Sequence, residues 1–208
     1  IIKLKKILEP LEDSLSYDNK FAVSLNLGIF YDTKGDIVDA IKYYEKSYDL
    51  SVEKENDINT AKSLNNLGVI YTKIDSLSAS TDFLNKALTY SKGEDLDIIS
   101  NNLAEIYLKE NNYQQALIHY QKAITEALHS KELDYQKSPS FQDIELSPNK
   151  LDILGYLIDK ANGWIAYYDA ETKPEYLQNA LDTFTLADQL VDIIYVESSE
   201  ELSKLFWR

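Results

Sequence analysis

A chain of 208 residues, 44% apolar and 12% aromatic, can bury a sizeable core, and 6 Gly with 4 Pro are too few for an all-β protein, where turn signals recur about every 8–12 residues. The charge balance of 21 basic against 35 acidic residues, net −14, argues against a nucleic-acid partner and keeps a surface-rich molecule soluble. With no Cys, disulfides, thiolate metal sites and a cysteine nucleophile are excluded.

Taken in chain order, the first stretch (1–17) spaces Ile2, Leu4, Ile7, Leu8, Leu11 and Leu15 like one face of a helix, with Pro10 in its middle, and reads as a partial repeat or cap. Three in-register copies follow. Residues 18–55 hold Leu27-Gly28-x-x-Tyr31, then Gly35, Ala40, Tyr44 and Ser47. Residues 56–94 hold Leu67-Gly68-x-x-Tyr71, then Asp75, Ser80, Leu84 and Ala87. Residues 95–133 hold Leu103-Ala104-x-x-Tyr107, then Asn111, Ala116, Tyr120 and Ala123. The polar segment 134–147, with Ser138-Pro139-Ser140, is expected to be a loop or hinge. A degenerate fourth copy spans 148–196: helical sequence ending in Tyr167-Tyr168, then Pro174 at a helix start, then Ala180, Phe184 and Ala187. A last helix is expected over 197–208, where Leu202, Leu205, Phe206 and Trp207 form an apolar stripe that should dock against whatever follows.

In each copy a Tyr is followed nine residues later by a small residue, four later by a large one, and three later by another small one. Small residues at Gly28, Gly68 and Ala104 let paired helices approach closely, and a single hairpin cannot bury the resulting face alone, so neighbours must stack. The pattern resembles the tetratricopeptide repeat, which implies an all-α, right-handed superhelical solenoid of antiparallel helix pairs, about four repeats in one domain over 1–208 with terminal helices.

The last 60 residues or so carry a further resemblance. Lys160-Ala161, the run Tyr176-Leu177-x-x-Ala180-Leu181-x-x-Phe184-x-x-Ala187-Asp188-x-Leu190, and Ser198-Ser199-Glu200-Glu201-Leu202-Ser203-Lys204-Leu205 are similar to the repeat region of bacterial CHAT-domain proteins, whose following domain resembles caspases. The resemblance implies a bacterial recognition arm for a protease-like effector whose His and Cys this chain does not carry. With no Met anywhere, an initiator included, the sequence reads as a processed chain or an excised fragment.

No catalytic, cofactor or metal site is expected. His119 and His129 would lie ~80° apart around one helix and ~15 Å along it, too far to share a metal or a proton. Glu12-Asp13 and Glu200-Glu201 read as solvated faces, and no glycine-rich phosphate loop is present. The sharper expectation is a binding surface on the first helix of each hairpin. An Asn precedes each small anchor by two residues: Asn26, Asn66 and Asn102. Each offers donors and an acceptor that could track a peptide backbone, unless they only bond neighbouring helices; similar asparagine ladders occur in kinesin light chains. The stripes run Ala22, Asn26, Ile29, Thr33; Lys62, Asn66, Val69, Lys73; and Ile98, Asn102, Glu105, Lys109. Lys62, Lys73 and Lys109 would favour an acidic residue or a terminal carboxylate. The expected function is a non-catalytic scaffold for a protein or peptide partner, the missing C-terminal domain included. Alternatives are a sensory repeat module ahead of a kinase or transcription regulator, or a self-assembling adaptor that dimerises. Without a targeting segment or an apolar run of ~18–20 residues, the expected location is cytoplasmic with no membrane span.

Overall fold

A computed structural model describes residues 15–91, 93, 95–131 and 134–206, with side chains described as far as Ser199. The expected cap over 1–17 therefore falls almost wholly outside the described residues, as do the side chains of Leu202, Leu205, Phe206 and Trp207. The described residues contain helices and no strand. Two compact units divide the chain, Ile1–Asp95 and Leu96–Arg208. The first holds α1 (Tyr17–Thr33), α2 (Ile37–Glu53), α3 (Asp57–Lys73) and α4 (Leu77–Tyr90). The second holds α5 (Leu96–Lys109), α6 (Tyr113–Ala127), α7 (Phe141–Glu145), α8 (Lys150–Glu171) and α9 (Pro174–Phe206). The all-helical pairing expected from the repeats is what the chain adopts.

The turns explain the nine-residue interval. After α1, α2, α3 and α5 the chain turns left-handed at Gly35, Glu55, Asp75 and Asn111, with φ of 74°, 51°, 59° and 58°. The next residue then donates its N–H back five positions, Asp36 to Tyr31, Asn56 to Ser51, Ser76 to Tyr71 and Asn112 to Tyr107, at 2.8–2.9 Å. This is a Schellman closure, which satisfies carbonyls at the helix end. The carbonyl of that same residue accepts the first bond of the next helix, from Ala40, Thr60, Ser80 and Ala116 at 2.9–3.0 Å. Five positions back and four forward make the interval from Tyr31 to Ala40, Tyr71 to Ser80 and Tyr107 to Ala116. The Asp36 and Asn56 side chains complete the cap by accepting from the N–H groups of Asp39 and Asn59 at 3.3 and 3.1 Å.

Thr172, between α8 and α9, also sits at φ 55°. A β-branched residue is strained there, because its Cβ crowds the backbone. Thr172→Gly is expected to stabilise the protein by about 1 kcal/mol in urea unfolding, since glycine adopts this conformation freely. A loss of stability would show that the Thr172 side chain holds the turn in some other way.

Each unit packs by size complementarity. In the first, Tyr44 lies against the backbone of Gly28 and Leu84 against Gly68, each large residue sixteen positions beyond its small partner. Tyr31, Tyr43, Tyr44, Leu67 and Ile70 form one buried cluster, with the Tyr31 and Tyr43 rings stacked at 5.4 Å. Hydroxyls stitch the closest approaches: Ser47 to Ser63 at 2.8 Å and Thr60 to Ser51 at 3.0 Å between α2 and α3, and Thr72 to Ser80 at 2.7 Å between α3 and α4. All six are buried, so these pairs satisfy groups that would otherwise cost stability.

In the second unit Ala104, Ala116 and Tyr120 repeat the small–large packing. Gly163 of α8 also faces α6, where a Cβ would stand 3.2–3.4 Å from Tyr120 and Leu117. The polar stretch 134–147 contains the short helix α7, begun by Ser140, whose hydroxyl accepts from the Asp143 N–H at 3.2 Å. Ile144 of α7 is buried with Ile124, Ile153 and Leu190. Helix α9 runs unbroken for 33 residues, so the helical sequence from 197 continues it. Neither Gly nor Pro interrupts it after Pro174.

Candidate functional site

In the first unit, α1 and α3 present the stripes selected from the sequence. Ala22, Asn26 and Thr33 are exposed, and Ile29 is 44% exposed on the same face. On α3, Lys62, Asn66 and Val69 are half-buried and Lys73 is exposed. The amide of Asn66 donates to the Lys62 carbonyl at 2.9 Å, which leaves its oxygen and a second N–H available. Lys73 reaches across to α1 and donates to both carboxylate oxygens of Asp32 at 2.6 and 2.8 Å. Such a partly exposed pair contributes at most about 1 kcal/mol, yet it fixes where the α1 and α3 faces meet. Burial first, and the Asp32 carboxylate second, push the Tyr44 phenol upward, which keeps that core ring neutral. Lys62 has no acidic partner among the described residues, so its charge is open to a ligand.

The second unit carries the third stripe on α5. Ile98, Glu105 and Lys109 are exposed, and Lys109 stands 4.0 Å from Glu105. Asn102 is half-buried and already has a partner within the chain. Beside it, Asn101 donates to Asp159 of α8 at 3.0 Å, and the Tyr156 hydroxyl donates to Asp97 at 3.0 Å. These bonds hold α8 alongside α5.

Of the residues selected from sequence, Asn26 and Lys62 are the most available, while Lys73 and Lys109 already face carboxylates. Nothing in the sequence pointed to Asp32 as a partner, because the pair spans 41 positions and joins two different repeats.

The two histidines stand in different settings. His119 packs its ring 5.1 Å from Tyr107, and burial with nearby Lys122 lowers its pKa, so it is neutral near pH 7. His129 is exposed at a left-handed helix end. Among the described residues, no group of three or more His, Asp or Glu could hold a metal, and no helix is long and apolar enough to cross a membrane.

One group was missed. Lys160 is 1% exposed inside the second unit. Its Nζ donates to Gln121 Oε1 at 2.6 Å and to the Lys137 carbonyl at 2.8 Å, which pins the 134–137 turn onto α8. Tyr135 of that turn stacks on Trp164 at 5.9 Å. A lysine among helical residues carries no sequence signal of burial.

Comparison with known proteins bears on the fold. The tetratricopeptide repeat family matches over residues 20–93, and a second model of the same repeat over residues 100–133. Comparison with curated proteins gives no match. Among solved structures, BtubC (BKLC) from P. vanneervenii is similar at TM-score 0.66 and 17% identity, covering 86% of this chain. The chain spans 66% of that protein's own length, just under two thirds. A Podosopora anserina protein described as a kinesin light chain with nearly identical TPR-like repeats is similar at TM-score 0.60 and 13% identity, covering 90% of this chain and 83% of its own. Residues 20–93 and 100–133 are therefore tetratricopeptide repeats, and the chain is a tetratricopeptide-repeat protein in its fold.

Proposed function

We propose that the chain is a non-catalytic scaffold that holds an extended segment of a partner protein on the first-helix face of its repeats. The observation that carries this reading is the α1–α3 face of the first unit, where exposed Asn26 and Ile29 stand with Lys62, which has no acidic partner among the described residues. Apolar, amide and cationic groups on rigid neighbouring helices suit a peptide with one apolar side chain and an acidic residue or terminal carboxylate. Asn66 adds an acceptor, and Asn102 belongs to the same pattern on the second unit. Lys73 and Lys109 shape the face through their carboxylate partners more than they attract a ligand.

The test compares partner capture by the parent chain and by a variant with Asn26, Asn66 and Asn102 changed to Ala. A protein retained by the parent and lost from the folded variant supports the reading. Equal retention by both removes the asparagines from the site. A single Lys62→Glu change is expected to weaken an acidic partner by about tenfold, the scale of one reversed charge.

The finer reading, a recognition arm for a caspase-like effector, rests on the resemblance of the last 60 residues. The bacterial source belongs to the same reading, and the cytoplasmic location is proposed separately, from the sequence. An effector motif in any sequence found to follow Arg208 would support it, and a kinase or DNA-binding domain there would replace it.

A further inference from the structure

Helix α9 is apolar on two faces. Ala180, Thr183, Ala187 and Leu190 are buried against the rest of the unit. A second stripe, Leu177, Leu181, Phe184, Asp188, Val191 and Tyr195, alternates spacings of four and three and faces outward. Leu181 is 58% exposed, Val191 47% and Tyr195 73%. Leu154 and Ile158 of α8 adjoin this stripe, and together the two helices enclose an open apolar groove of about 530 Å³.

The position of the groove says what shape fits it. On the preceding hairpin, α5–α6, the corresponding side is covered by a helix: α8 lies there through Gly163 against Tyr120, Asp159 to Asn101 and Tyr156 to Asp97. The α8–α9 hairpin offers the same kind of seat one step further on, and no described helix occupies it. Charge says what chemistry fits it. Between Pro174 and Ser199, α9 carries Glu175, Asp182, Asp188, Asp192 and Glu197 and no Lys or Arg. Asp188 lines the groove in the middle of the apolar stripe and has no partner among the described residues. The same helix of a second copy, α9 on α9, would bring carboxylates onto carboxylates.

We propose that the α8–α9 groove seats an amphipathic helix whose apolar stripe is interrupted by a Lys or Arg facing Asp188. The ion pair would set the register of the helix, as a single polar position does in a coiled coil.

The probe is a synthetic helical peptide of three heptads, with Leu at the core positions and one central core Lys, beside a counterpart carrying Glu at that position. Binding to the full chain is read by fluorescence anisotropy, with circular dichroism confirming that each variant folds. The Lys peptide is expected to bind about tenfold more tightly than the Glu peptide, and Asp188→Lys to reverse that order. Val191→Glu and Ile158→Glu, both at partly exposed positions, should each weaken the Lys peptide by at least about tenfold. No binding of the Lys peptide, or binding indifferent to Asp188→Lys and to both groove variants, overturns the proposal. So does a concentration-dependent dimer in sedimentation that Val191→Glu abolishes, because the groove would then belong to a second copy. Asn26, Asn66 and Asn102 lie on other helices, so failure here leaves the first-helix surface standing, and the reverse.

Discussion

Gly28→Ala is expected to destabilise the protein by about 1–3 kcal/mol, although alanine is the better helix former. A Cβ at this position would run into Cδ1 and Cε1 of Tyr44, a ring fully enclosed by the core. Tyr44 cannot swing away without leaving its cluster, so the α1–α2 pair must separate. The gain of about 1 kcal/mol from removing a helical glycine is outweighed by lost packing along the whole contact. Gly68→Ala should behave alike, because its Cβ would stand 2.6 Å from Leu84. Gly155→Ala is the internal control. Nothing lies within 4 Å of a Cβ there, so the substitution should stabilise α8 by about 0.5–1 kcal/mol. Urea midpoints of the three variants decide the matter. Equal gains for all three would mean that Gly28 and Gly68 are not close-contact positions.

Lys160 gives the second large effect, in the pH dependence of stability. Burial pushes its ammonium down to about 7, with Asp134 opposing the shift, against 10.5 for a solvated lysine. Between those two values the unfolded chain holds a proton that the native chain has released. Stability therefore rises with pH from about 7 toward 10.5, and falls as pH drops toward 7, where the native amine takes up its proton inside the core. Lys160→Met removes this titration. Comparing both chains by urea unfolding at several pH values across the window cancels the other groups that ionise there. The parent should gain on the variant with rising pH by an amount on the order of a few kcal/mol. At the alkaline end the variant should be the less stable, with Gln121 Oε1 and the Lys137 carbonyl left without a donor, a loss of about 1–3 kcal/mol. Parallel curves would show that the amine is solvated in the native protein.

The two cases mark what sequence could and could not disclose. Gly28 with Tyr44 and Gly68 with Leu84 were legible because a repeated small–large offset has one simple cause, the close approach of paired helices. The turns were less legible: only Gly35 announces its left-handed conformation, while Glu55, Asp75 and Asn111 adopt it under the demand of the backbone bonds around them. Lys160 was invisible as a buried group, since its enclosure comes from residues 121 and 137, brought over it by the tertiary fold. The same holds for Lys73, whose acidic partner belongs to the preceding repeat. Phe184, which stands in the fourth copy where Tyr44, Leu84 and Tyr120 stand in the others, lines an open groove. On a helix with two apolar stripes, composition alone does not say which one is covered. Spacing could not distinguish exposed Asn26 from half-buried Asn66, whose amide bonds its own helix.

Asp36, Asn56, Ser76 and Asn112 each close one helix with their N–H and open the next with their own carbonyl. These joints have no slack. An extra residue at any of them would separate the donor that ends one helix from the acceptor that begins the other, leaving at least one backbone group without its partner. Insertions, deletions and engineered tags are therefore poorly tolerated there. A chain jointed in this way can be extended through whole hairpins, but not residue by residue at its turns.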